Sequence, residues 1–289
     1  MKKPLIPKFN DLLSQVDMKE VAAAILASDR EERITRYTED EYANVKEMVW
    51  SAAERWFPQD VVEFNTALVY KVEQEHTYLY DGENIKAYLD VAAQLKGQLK
   101  TYEEFRGQTV VVDWKTKEGE LDTRWKDKLV DSWQWRIYAD MAGAQVFNYR
   151  GISRRCIGGV CPTRDIPLAV PSTNREEVSE YVRGLLAQRN ALISIGAKVW
   201  PRNMPDACNM YGRECPFYGD CTDYTMPRWT PPMGKVMSFT QFHRFITCPE
   251  RSRRLLLTPE DDETLATNIG GGVHQGLAAL WAQLPNIKI

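Results

Sequence analysis

At 289 residues the chain is long enough for one large domain or two ordinary ones, and for a substantial core. Its 44% hydrophobic and 27% charged content excludes wholesale disorder, and 37 basic against 40 acidic side chains, a formal net charge of −3, exclude a histone-like, purely electrostatic nucleic-acid binder while leaving room for a local basic groove. No apolar run approaches the roughly 20 residues of a membrane helix, and the opening Met1-Lys2-Lys3-Pro4 lacks the apolar stretch of a signal peptide, so a soluble, cytoplasmic protein without a membrane partner is expected.

The first 60 residues read as helical. Thr38 and Glu41 have capping-box spacing, and Val45, Met48, Val49, Ala52 and Trp56 then recur at helical intervals until Pro58, which is expected to end the run. Phe64 to Val72 reads as a strand, Thr77 to Tyr80 as a short one before the Asp81-Gly82 turn signal, and Ile85 to Val91 and Thr109 to Asp113 as two more. The polar residues 92–108 between the last two read as an exposed excursion. Leu121, Trp125, Leu129, Trp133, Ile137 and Met141 step by four and predict one long amphipathic helix.

A strand around Val146 to Ile152 follows, then a proline-bounded segment to Pro171. Thr173 and Glu176 cap a further helix carried by Val178, Tyr181, Val182, Leu185 and Leu186, with Gly196 as its stop. Residues 200–235 are rich in Pro, Gly, Cys and Trp and show no periodicity, the composition of a segment held by a metal or cluster rather than by its own core. Ser238 with Gln241 opens a helix ended by Pro249, and a last helix runs from about Gly272 to Leu284. This order predicts an α/β or α+β fold with a mixed central sheet flanked by helices.

The most informative local pattern is Val110-Val111-Val112-Asp113-Trp114-Lys115-Thr116. Period-2 geometry puts Asp113 and Lys115 on one face of a strand and Trp114 on the opposite face, in the core. A carboxylate there can hold a hard divalent cation, and the neighbouring ammonium can position an attacking water or steady a phosphate; a solvated ion pair is the plain alternative. Asp90 closes Lys86-Ala87-Tyr88-Leu89-Asp90 and adds a second carboxylate at a strand position, where a charge is disfavoured unless used. Gln134 and Tyr138 lie four apart and share a helix face.

Strand-Asp, then D-x-K, then a helix with Q-x3-Y resembles the RecB-type branch of the PD-(D/E)XK nucleases. That resemblance implies Mg²⁺ or Mn²⁺ on Asp90 and Asp113, a water-assisting Lys115, and a supporting pair Gln134 and Tyr138. Cys208-x6-Cys215-Pro-Phe-Tyr-Gly-Asp-Cys221 is similar to the cysteine trio of the iron–sulfur members, such as AddB-type nuclease domains and CRISPR-adaptation exonucleases. The segment from Ser238 to Cys248-Pro249 resembles the one that carries their fourth cysteine, and Gly270-Gly271-Gly272-Val273-His274 resembles the helix whose histidine joins the metal site. A 4Fe–4S cluster on Cys208, Cys215, Cys221 and Cys248 and a metal-site His274 are therefore implied. Zinc is the alternative occupant of the thiolates, although no C-x2-C pair is present.

Element order departs from the family, because these last two elements should come first. One cut and rejoining, 236–289 followed by 1–235, restores both at once and implies a circularly permuted domain: a helical segment (1–60), a nuclease core (61–200), a cysteine-rich cluster segment (201–235) and a helical segment (236–289). Completion of a neighbour's fold by 236–289, or the start of a second, truncated copy, are the alternatives. The implied activity is hydrolysis of DNA phosphodiesters, on single-stranded DNA or free ends, with any helicase or recombination protein a separate partner. A non-catalytic iron–sulfur DNA-binding or adaptor protein is the second reading, and a zinc-stabilised interaction module the third.

Several residues carry plainer expectations. Glu63 reads as a strand-edge surface acid, with a place in the metal site as the alternative, His76 as part of a polar turn, and His243 as part of the cysteine-bearing helix. Cys156 and Cys161 read as small buried or loop residues without a disulfide, with metal binding as the alternative. The glycine triplet 270–272 lacks the Gly-Lys-Ser/Thr ending of a phosphate loop and is expected to allow close backbone approach between helix, cluster segment and DNA. Arg150, Arg154, Arg155, Arg251, Arg253 and Arg254 either line a DNA groove or form a solvated face, and Trp229 either stacks on a base or packs its loop.

Overall fold

The computed structural model of the chain describes residues 5–27, 37–68, 70–80, 82–196, 236–238, 245, 248–249 and 265–288. The Thr38–Glu41 box is formed: the Glu41 amide donates to Thr38 Oγ1 at 3.2 Å, and the Thr38 amide to Glu41 Oε2 at 2.8 Å. It opens α3 (Glu39–Glu63), which follows the short α1 (Phe9–Leu13) and α2 (Met18–Ala27). Pro58 does not end α3. It is buried inside the helix, and the turn after it, with Asp60, Val61 and Val62, is buried too, so packing outweighs the one missing backbone hydrogen bond.

The described residues form two compact units, lying within Met1–Glu75, Tyr88–Asn174 and Glu263–Ile289 for the first and within His76–Ala87 and Arg175–Asp262 for the second. The strands are β1 (Tyr70–Tyr80), β2 (Glu83–Gln94), β3 (Thr109–Lys117), β4 (Val146–Ser153) and β5 (Thr163–Ala169), ordered β1-β2-β3-β4-β5 in a mixed sheet. β2 and β3 are antiparallel with Val91 opposite Val112, β3 and β4 parallel with Asp113 opposite Tyr149, and β4 and β5 antiparallel. The chain is thus a mixed α/β protein, these five strands forming a mixed sheet flanked by helices.

Alternation sorts β3 between two environments. Val110, Val112 and Trp114 enter a core shared with α3 and with α7 (Leu265–Ala282). Trp114 is fully buried there, as its position in the strand predicts. In the second unit, β6 (Val236–Ser238) pairs in parallel with β2, Asn84 opposite Val236, so Ser238 ends a short strand. The helix α6 (Asn174–Ser194) places Arg189 3.5 Å from Glu83 and Arg175 2.8 Å from the Tyr78 hydroxyl. No described helix is long and apolar enough to cross a membrane.

Several expectations are corrected. The step-by-four run from Leu121 to Met141 is two helices, α4 (Thr123–Val130) and α5 (Trp133–Ala142), because Ser132 Oγ accepts the Gln134 amide at 3.1 Å and restarts the chain as an N-cap. Phe64 pairs only as an isolated bridge to Leu95, and the strand begins at Tyr70. Residues 92–108 are no exposed excursion: β2 runs to Gln94, Ala92, Ala93 and Leu95 are buried, and a 3-10 turn (Lys100–Phe105) buries Tyr102. Glu63 organises this stretch. It is fully buried, accepting the amides of Gly97, Gln98 and Leu99 at 2.5–3.0 Å, so it is neither a surface acid nor part of the site described below.

Cys156 and Cys161 are disulfide-bonded to each other; Gly158 and Gly159, at positive φ, fold the intervening loop back so that the two Cα atoms lie 4.0 Å apart. Arg150 lines no groove and faces no solvent. It is buried, bidentate to the equally buried Asp60 of α3 at 2.5 and 2.7 Å, and Asp60 also accepts the Trp281 indole N–H of α7 at 2.8 Å. This pairing ties α3, β4 and α7 into one core.

Candidate metal centre

β2 and β3 bring the two predicted acids together. The register that puts Val91 opposite Val112 carries Asp90 to the position next to Asp113, and Asp90 Oδ2 accepts the Trp114 amide at 2.6 Å. Both carboxylates are buried, at 7% and 3% exposure, although their strands read as ordinary apolar sequence around them. On the same face of β3 as Asp113, Lys115 places its Nζ 2.6 Å from Asp113 Oδ2 and 5.8 Å from the centre of the Tyr149 ring.

From α5, Gln134 directs Nε2 toward Asp113 Oδ1 at 3.5 Å, and the Tyr138 hydroxyl is hydrogen-bonded to Gln134. Burial, with the negative charge of Asp113, pushes the Tyr138 phenol up, so that it stays protonated. The helix face that carries Q-x3-Y in the sequence is therefore the face that meets the acids.

His274 arrives from α7. Its Nδ1 lies 3.4 Å from Asp90 Oδ1, and its ring meets Trp114 edge-on at 6.2 Å. This helix thus packs against β3. Around it, the glycines serve helix packing: a Cβ on Gly270 would lie 3.2 Å from Thr116 Oγ1, and one on Gly272 would meet Tyr37 and Val45.

Glu73 was not singled out by any sequence pattern, yet it belongs here. One ligand atom each from Glu73, Asp90 and His274 falls within 4.8 Å of the other two. Glu73 is the one non-glycine among the described residues with positive φ, at 48°, and this interrupts the alternation of β1: Val72, Glu73 and Gln74 are all half-buried. No spacing rule announces such a residue. Asp113 stands beside the trio, turned toward Lys115 and Gln134.

The charges are set against each other. Burial, aided by the charge of Asp90, pushes the Glu73 carboxyl up to about 7. Burial also raises Asp113, to about 6, against the pull of Lys115. For Asp90 the burial effect is outweighed by His274, Lys115 and the Trp114 amide, which hold it below the usual carboxylate range. Burial works against a charged His274, but the Asp90 carboxylate prevails and raises its pKa. Carboxylate oxygens with one imidazole nitrogen are donors that suit Mn²⁺ or Mg²⁺, so the residues present fit such an ion.

Of the remaining expected site residues, Cys208, Cys215 and Cys221 lie outside the described residues, as do Trp229, His243, Arg251, Arg253 and Arg254. Cys248 is a buried free thiol. His76 sits half-buried within β1 rather than in a polar turn. Arg154 pairs with Glu118 at 3.0 Å.

No protein-family model and no curated protein matches the chain. Among solved structures it is similar to one titled "Crystal structure of SSO0001", at 14% identity over 65% of this chain and 91% of that one, with a TM-score of 0.25.

Proposed function

We propose that the chain is a circularly permuted, RecB-like PD-(D/E)XK deoxyribonuclease that hydrolyses phosphodiesters of single-stranded or end-containing DNA with Mg²⁺ or Mn²⁺. The observation that carries this reading is the convergence of Asp90, Asp113, Lys115 and His274 from β2, β3 and α7, with Gln134 and Tyr138 behind them. Asp90, Asp113 and His274 are the proposed metal ligands. A bound divalent ion supplies Lewis acidity, lowering the pKa of water and neutralising charge on the phosphate.

Lys115 is placed to orient the attacking water and to meet charge building on the phosphate oxygens, since it reaches the site from the same strand face as Asp113. Gln134 holds the Asp113 carboxylate in position, and Tyr138 holds Gln134. The alternation that aims Asp113 and Lys115 at the site buries Trp114 behind them, which keeps the strand rigid under the reacting groups. A 4Fe–4S cluster on Cys208, Cys215, Cys221 and Cys248 is proposed from the cysteine pattern, in a structural role.

Digestion of end-labelled linear single-stranded DNA with Mn²⁺, comparing wild type with Asp113→Asn and Lys115→Ala, tests the reading. Wild type is expected to cut, with each variant reduced by about 100-fold or more. A wild type that binds DNA and Mn²⁺ but leaves the DNA intact would overturn the enzyme and put the DNA-binding adaptor in its place.

A further inference from the structure

Glu73 has no part in the mechanism above. Its carboxylate shares a space under 4.8 Å across with Asp90 and His274. Two carboxylates there face one imidazole, so with both ionised even a protonated His274 leaves an excess negative charge, which the raised Glu73 carboxyl relieves by keeping its proton. The ammonium of Lys115 is engaged 2.6 Å away by Asp113. Partly buried, like-charged groups at this separation repel strongly unless a proton or a cation lies between them.

The donors also come from three different elements, β1, β2 and α7, so their approach is a product of the tertiary fold and not of one local turn. Two carboxylate oxygens and a nitrogen occupy part of the shell of a six-coordinate ion and leave positions for water and a phosphate oxygen. Asp90 is already oriented, because its second oxygen accepts the Trp114 amide. Finally, the backbone of Glu73 lies in the left-handed region inside a strand, a conformation that glutamate does not favour by itself.

We propose that Glu73 is a protein ligand of the metal centre, forming with Asp90 and His274 the seat of a divalent cation of the Mn²⁺ class, alongside the Asp113–Lys115 pair. This rests on the assignment of Asp90 and His274 to a metal centre in the nuclease reading, but not on the cleavage reaction. Glu73 is then the residue that closes the site on the side of β1, and its loss is felt in metal affinity before it is felt anywhere else.

The test is titration calorimetry of Mn²⁺ into the full chain without DNA, for wild type, Glu73→Gln and His274→Ala, with circular dichroism as the control for folding. Glu73→Gln is expected to weaken the Mn²⁺ Kd by about tenfold or more, as His274→Ala does, and excess Mn²⁺ is expected to restore DNA digestion by Glu73→Gln. Affinity within twofold of wild type, or a wild type that binds no Mn²⁺, would overturn the proposal. Should Glu73→Gln fail to fold, Glu73→Asp keeps the charge while withdrawing it from the site, and an unchanged Kd there is equally fatal. The two readings separate cleanly. If Glu73→Gln loses Mn²⁺ while wild type leaves DNA intact, the ligand assignment holds and the nuclease falls; if wild type cuts and Glu73→Gln binds Mn²⁺ normally, the reverse is true.

Discussion

Glu73, Asp113 and His274 share a property with a measurable consequence: each holds a proton more tightly in the folded chain than it does when unfolded. For Glu73 the window runs from its ordinary 4.5 to about 7, and for Asp113 from 3.8 to about 6. Inside those windows the folded state binds more protons than the unfolded one, so stability falls as pH rises. His274 acts in the same direction, its contribution being present below the unfolded pKa and lost as pH rises through the folded one. Asp90, held low, works oppositely and only in acid, where its contribution is lost as pH falls. The Tm of the metal-free protein is therefore expected to decline between about pH 5 and 7.5. This decline should be shallower in Glu73→Gln, and Mn²⁺ affinity should rise over the same range as the ligands shed protons. Thermal melts of both proteins in EDTA check this; identical slopes would contradict the raised Glu73. At this scale the sequence was readable wherever a period governs. Asp113, Lys115 and Trp114 follow from strand alternation and Gln134 and Tyr138 from helix spacing, whereas Glu73 reaches the site by breaking alternation at one φ angle, which no spacing records.

Among the elements, α7 explains the glycines better than the site does. A Cβ on Gly276 would lie 2.8 Å from both Ile25 Cγ1 of α2 and Val49 Cγ2 of α3, whereas one on Gly271 would meet nothing within 4 Å. Gly276→Val is therefore expected to destabilise the fold by about 1–3 kcal/mol through overpacking. Gly271→Ala is expected to be neutral or stabilising by up to about 1 kcal/mol, since alanine is the better helix former. Urea unfolding of the two variants checks the pair, and equal effects would remove the close helix approach as the explanation. The same distinction between local and tertiary causes accounts for what the sequence concealed. The Thr38–Glu41 cap is local and forms as read. Pro58 obeys the burial of the turn beyond it, and the break at Ser132 hides inside an apolar repeat that continues in register across two helices. The course of residues 95–99 depends on Glu63, whose three amide partners lie more than thirty residues away in the chain.

For the molecule as a whole, the decisive relation is between the two ends of the described chain. Gln15 Nε2 donates to the Lys288 carbonyl at 3.2 Å, and the Lys288 amide donates to Gln15 Oε1 at 2.9 Å. Asp17 and Gln283 are joined as well, the Asp17 amide donating to Gln283 Oε1 at 2.6 Å. Loop closure between such neighbours costs little, because the entropy penalty grows only slowly with the length joined. If the chain is a permuted form of the nuclease order, that order should still be accessible to it. A variant beginning at residue 236, running through Ile289 and a short Gly/Ser linker into Met1, and ending at residue 235 is expected to fold, to bind Mn²⁺ within about threefold of the parent, and to digest DNA if the parent does. His274 and Asp90 would then come from sequence positions in family order while occupying the same place in space. Failure of this variant to fold, with the linker lengthened as a control against strain, would mean that the present order of elements is required for folding, and the permutation reading would be lost even if the metal centre stood.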